Sequence, residues 1–208
     1  MLFISIAALC VLLLSAALPW VMNSGAALTL NAIDLAEWTS LYPAVMGEAI
    51  PMSTTLLLRL PFVCAAAVIG FGFNRARILR VLLVIVMTLG LLPPFEFLGA
   101  FDNPNYRQQA LIAILTLITG LIGAAGIGKD FRPAIVTIAS VLGLFAVLIG
   151  VSRGLMFMQE LRLSPGIGIG AVLAVGAFGV LAVVYGYKQL GQRHSRHPIA
   201  HQSNVEPV

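Results

Sequence analysis

The side chains with the widest scope for chemistry are few in this sequence: three histidines, two cysteines and eight carboxylates in 208 residues. His194, His197 and His201 crowd into one basic run, RHSRHPIAHQ, and none lies within an apolar segment. A haem or catalytic metal held by histidine inside a bilayer is therefore not expected, whereas a solvated basic tail beside anionic lipid is. Cys10 and Cys64 each stand alone in an apolar run, without CxxC or metal-ligand spacing, and read as small buried residues. No nucleophile elbow, P-loop or HExxH pattern occurs. The expectation is a protein that is not an enzyme and that carries no catalytic residue, cofactor or metal. A membrane enzyme acting on lipid would need a nucleophile or ligand set that these residues do not supply.

The residues of interest are instead the ionisable ones that intrude on apolar segments, because a charge near hydrocarbon is costly without a partner. Arg59 falls about five residues, roughly 7 to 8 Å, below one end of its segment. Glu96 falls about sixteen residues beyond Arg80, hence roughly 24 Å along the next segment and at a similar depth. Pro61 follows Arg59, and Pro93-Pro94 precede Glu96, so regular helix is weakened at both places. The matched depth predicts an intramembrane ion pair between Arg59 and Glu96. Hydroxyls deep in the chain, Thr116 with Thr119 and Thr137 with Ser140, are expected to make helix-packing hydrogen bonds. A coupled transporter would place a carboxylate near midplane, and none falls there.

The elements that must hold these residues follow from composition. At 60% hydrophobic and 10% charged residues, with mean hydropathy +1.01, the chain lies far from the roughly 25% charged residues of a soluble domain. The fold class is all-α: a polytopic integral membrane protein. Apolar runs long enough to span about 30 Å predict six transmembrane helices near 2–21, 54–73, 78–98, 109–127, 134–151 and 166–187, within a bundle covering 1–187. The opening run lacks a basic n-region and an A-x-A site and is read as a retained first helix rather than a signal peptide. Residues 188–208 are expected to be a disordered basic tail.

Charge then orients the bundle. With the N-terminus inside, the inner segments hold Arg75, Arg77, Arg80, Lys129, Arg132, Lys188, Arg193 and Arg196 against Asp130 and Glu206 alone. The positive-inside rule puts both termini in the cytoplasm, in a cell membrane. A pI near 9.5 does not imply nucleic acid, because the basic residues are scattered between apolar segments rather than gathered on one face.

The longest outer loop, 23–53, contains NAIDLAEWTSLYPAV. Asn31 suits a helix N-cap, Asp34 suits the positive helix end, and Pro43 stops the run. An amphipathic helix is predicted, anchored in the outer interface by Trp38 and Tyr42 rather than by its carboxylates. A second short interfacial helix is expected within 152–166. Small residues at four-residue spacing, Gly120, Ala124 and Gly128 in one helix and Gly166, Gly170 and Ala174 in another, suit close helix packing.

With neither a reactive set nor a midplane charge, packing surfaces remain. The leading expectation is a non-enzymatic accessory, assembly or scaffold subunit of a larger membrane complex, with the lipid bilayer and other membrane subunits as partners. The alternative is a small-solute permease component whose outer-leaflet pocket, containing Arg59, is capped by loop 23–53.

Overall fold

The structure is a computed structural model, and it describes residues 2–23, 28–48, 50, 52–73, 76–100 and 102–195, with the side chains of residues 98 and 192–195 left aside. Arg75, Arg196, His197, His201 and most of the expected tail lie outside the described residues. In chain order the helices are α1 (Leu2–Ala17), α2 (Ala32–Leu41), α3 (Pro43–Met46), α4 (Ser53–Gly72), α5 (Arg77–Gly90), α6 (Pro104–Ala125), α7 (Arg132–Glu160) and α8 (Ile169–Ser195). Short strands β1 (Val21–Asn23), β2 (Leu28–Leu30) and β3 (Gly166–Ile167) join them, with 3-10 turns at Phe95–Gly99 and Lys129–Phe131.

The chain is mostly helical, and among the described residues four helices are long and apolar enough to cross a membrane: Ser53–Gly72, Pro104–Ala125, Lys129–Glu160 with its leading turn, and Ile169–Gly191. Helix α4 is the axis. It is the most buried of the four, and α6, α7, α5 and α2 all pack on it. Helix α1 has 16 residues and α5 has 14, about 24 and 21 Å at 1.5 Å per residue, short of a full hydrocarbon core.

Several expected boundaries are corrected. The third apolar run does not continue to residue 98: α5 stops at Gly90, and the Pro93-Pro94 pair, which cannot donate backbone hydrogen bonds, leads into a 3-10 turn. The segment from Ser152 is no separate interfacial helix, since α7 runs unbroken through 29 residues to Glu160. Helix α8 likewise extends past Lys188 to Ser195, so the first part of the expected tail is helical.

A three-stranded antiparallel sheet, ordered β2-β1-β3, adds to the all-α expectation. Val21 pairs with Leu30 on one side and Ile167 on the other. The sheet gathers the exit from α1, the entry to α2 and the entry to α8, and pairs backbone groups that the helices leave unsatisfied there. Trp20, 2% exposed, donates from its indole Nε1 to Ser15 O at 2.8 Å and locks the turn after α1.

Helix contacts turn on glycine where backbones nearly touch. A Cβ on Gly70 of α4 would sit 2.6 Å from Gly120 O of α6, and one on Gly123 would sit 2.6 Å from the Gly70 carbonyl carbon. Ala124 is buried in the same helix. Gly128 does not extend that series: α6 ends at Ala125, and Gly128 occupies a turn with φ +71°, a left-handed conformation that favours glycine. In the second expected series Gly170 and Ala174 are buried in α8, with Gly170 against Leu18 O. Gly166 lies in β3 instead, exposed, because the chain must pair with β1 before helix can begin.

Candidate functional site

Helices α2 and α3, the sheet and the Phe95–Gly99 turn all lie at one end of the bundle, where α4 and α6 begin and α7 finishes; this is the cap end. Asn31 accepts from the Ile33 and Asp34 amides at 2.9 and 3.0 Å and starts α2. The helix then buries Ala32, Leu35, Ala36, Thr39 and Ser40. Leu35 lies close to Gly154 of α7, and Thr39 Oγ1 meets Thr55 Oγ1 of α4 at 3.3 Å. So α2 is held against protein along most of its length.

That placement brings Glu37 over Arg59. The guanidinium, 4% exposed, meets the half-exposed Glu37 carboxylate at 3.0 Å from Nη2 to Oε2. The same Nη2 donates to Asn105 Oδ1 at 2.7 Å, while Nη1 donates to Gln108 Oε1 at 3.1 Å and to Asn105 O at 3.4 Å. Asn105 Nδ2 donates to the other Glu37 oxygen at 3.0 Å, and Gln108 Nε2 donates to Met52 O at 3.2 Å. Three helices are thus joined through one buried cation: α2 by Glu37, α4 by Arg59, and α6 by Asn105 and Gln108. Planar, forked geometry lets one Arg serve all of them, as a Lys could not.

The expected Arg59–Glu96 pair is therefore corrected. Glu96 is exposed in the Phe95–Gly99 turn, and Arg59 takes Glu37. Depth along separate helices matched the two residues but said nothing of azimuth, and α2 folds down over the bundle on the Arg59 side.

Two smaller polar groupings, around Glu48 and around Tyr42, complete the cap. Glu48 accepts from the Thr54 amide and from Ser53 Oγ, each at 3.1 Å, and from the Thr54 hydroxyl, so it caps the first turn of α4. Arg153 of α7 reaches the same carboxylate at 3.7 Å and donates to Ser53 Oγ at 3.0 Å. Tyr42 donates to Glu160 Oε2 at 3.0 Å, and that carboxylate raises the phenol above its ordinary value. Trp38 and Tyr42 stack with ring centres 6.0 Å apart, and Tyr42 packs on Phe157 at 5.3 Å. With Val45, Met52 and Phe157 the two rings form a small cluster on α7. The aromatic anchors thus grip protein, and the expectation that α2 is held by its aromatics rather than by its carboxylates is corrected by Glu37.

Elsewhere, Thr137 donates to Pro133 O at 2.8 Å, while the Thr116 and Ser140 hydroxyls are buried without a hydrogen-bond partner. Among the described residues no group of three or more His, Cys, Asp or Glu side chains comes together. Sequence reasoning missed Glu37, Asn105 and Gln108; the available signal was only that a buried Arg requires a carboxylate and further acceptors. Comparison with family models, with curated proteins and with solved structures returns no match.

Proposed function

We propose that this chain is a non-enzymatic accessory or scaffold subunit of a larger membrane complex. The observation that carries the reading is the use of the buried cation: all of the Arg59 contacts given above are to Glu37, Asn105 and Gln108 of the same chain. Its chemistry is spent on binding the cap to the bundle. What the protein offers outward is apolar, including Leu111, Ile114 and Ile118 of α6 and Ile138, Leu142 and Phe145 of α7, all substantially exposed. Such surfaces suit lipid and the helices of neighbouring subunits. The permease alternative needs Arg59 free to meet a solute, which would require Glu37 and α2 to swing away.

The six-pass arrangement and cytoplasmic termini belong to this proposal. Helices α1 and α5 serve as short crossings, completed by the segments that flank them. Arg77, Arg80, Lys129, Arg132 and Lys188 gather at the end opposite the cap, which the positive-inside rule assigns to the cytoplasm. In a background lacking Cys10 and Cys64, a cysteine at exposed Asp102 should react with an impermeant maleimide from outside intact cells, and one at exposed Lys129 should be protected. The reverse pattern overturns the orientation. For the function, extraction of the native membrane in mild detergent followed by mass spectrometry should recover a stoichiometric membrane partner. Recovery of the chain alone, carrying a bound solute, would sink the subunit reading in favour of the permease.

A further inference from the structure

At the end opposite the cap, helices α1 and α5 both pack toward α4 but leave a gap between them. The gap is a cavity of about 750 Å³, inside the roughly 300 to 1,000 Å³ range of small-molecule sites. Its walls are Leu2, Ile6, Leu9 and Leu13 of α1 and Leu79 and Leu83 of α5, and its floor is Ile69 and Phe71 of α4. Leu2 and Ile6 are largely exposed, so the cavity opens sideways along the helices. The α1 wall from Leu2 to Leu13 rises about 16 Å at 1.5 Å per residue, the depth of one leaflet of a hydrocarbon core about 30 Å thick.

The mouth is cationic. Arg80, Lys129, Arg132 and Lys188 border it, with Asp130 as the one acid among the lining residues. Arg80 is 6% exposed and donates from Nη1 to Gly70 O at 2.7 Å, yet its buried Nε has no partner. The Arg132 Nε is likewise buried and unpartnered. Neither arginine forms an ion pair with Asp130 among the described residues. Arg77 and Arg132 are the like-charged neighbours of Arg80. The first turns of α5 and α7 both meet this region without a side-chain cap, so their positive ends add to the field.

A buried guanidinium with like charges around it and an apolar slot one leaflet deep is complementary to a negatively charged headgroup carrying a hydrocarbon chain. We propose that the cleft between α1 and α5 is a binding site for an anionic phospholipid of the cytoplasmic leaflet. The phosphate sits against Arg80 and Arg132, with Lys129 and Lys188 at its outer edge. One acyl chain lies in the slot between α1 and α5 over Ile69 and Phe71. Bound lipid offsets the like charges of Arg77 and Arg132 around Arg80 and fills the apolar gap between α1 and α5.

The test is native mass spectrometry of the full chain released from nanodiscs of phosphatidylglycerol, of phosphatidylcholine, or of a mixture of the two. The wild type should retain one phosphatidylglycerol, with at least tenfold preference over phosphatidylcholine. Arg80→Gln should lower that retention tenfold or more. Because Arg80 also holds Gly70 O, a second variant is needed that leaves the interior alone: Ile6→Trp, at an exposed wall position, should block the slot and abolish retention while leaving the melting temperature in detergent unchanged. Equal retention of the two lipids, or wild-type retention in a folded Ile6→Trp variant, overturns the proposal. Full competition of the bound lipid by millimolar glycerol 3-phosphate also overturns it, because the site would then select a soluble anion and not a lipid.

Discussion

The Arg59 contact offers the most direct test of the cap. Glu37→Ala leaves a guanidinium that is 4% exposed with Asn105 Oδ1, Asn105 O and Gln108 Oε1 as its remaining acceptors. Stranding a fully buried charge costs about 3 to 5 kcal/mol. Glu37 is 41% exposed, so water screens the pair and can enter in its place; we expect a loss of about 2 to 3 kcal/mol. Arg59→Met acts differently. The Glu37 carboxylate can hydrate, but the Asn105 and Gln108 oxygens lose their donor, and buried unsatisfied acceptors cost about 1 to 3 kcal/mol each. Partial reorientation of the amides holds the expected loss near 2 kcal/mol. Since both changes remove the same bond, the double mutant should fall short of the sum by about 1 to 2 kcal/mol. The parallel cycle with Glu96→Gln should be additive to within about 0.5 kcal/mol, as befits residues that do not touch. Reversible unfolding in mixed detergent-SDS micelles reads all of these. Additivity of Arg59 with Glu37, or coupling of Arg59 with Glu96, would refute the geometry and return Glu96 as the partner.

Gly123→Ala forces a methyl group to within 2.6 Å of the Gly70 backbone and should cost about 1 to 3 kcal/mol by overpacking. Gly186→Ala, where nothing lies within 4 Å, should be neutral or slightly stabilising in the same unfolding assay. Glu48→Gln weakens the cap on the first turn of α4 and should cost about 1 kcal/mol, with faster amide exchange at Thr54 as its local signature. An unchanged exchange rate there would mean that the Glu48 side chain does not hold the Thr54 amide.

The sequence alone determined the class of environment. Sixty per cent hydrophobic residues in long uninterrupted runs can satisfy their backbone in lipid only as helices, and helix existence follows from local composition. The Asn31 cap was equally legible, because capping is a contact between a side chain and amides two and three residues away. So was the need of Arg59 for a partner, which follows from the cost of burying charge.

Which partner Arg59 takes is a matter of packing. Glu37 lies 22 residues from Arg59, and no periodicity reports the way α2 folds back onto α4. Asn105 and Gln108 become ligands because α6 crosses α4 at Gly70 and Gly120, an approach set by the whole helix pair. The strands escaped notice for a related reason: at two or three residues each they are shorter than one readable alternation, and β3 exists only because the start of α8 lies beside the exit from α1. The cleft between α1 and α5 is likewise invisible in sequence, since its lining comes from helices far apart in the chain. Local pattern specifies which segments leave water, because that is settled by each segment's own side chains. Which side chains then meet is settled by azimuth and crossing geometry, and those are properties of the packed bundle.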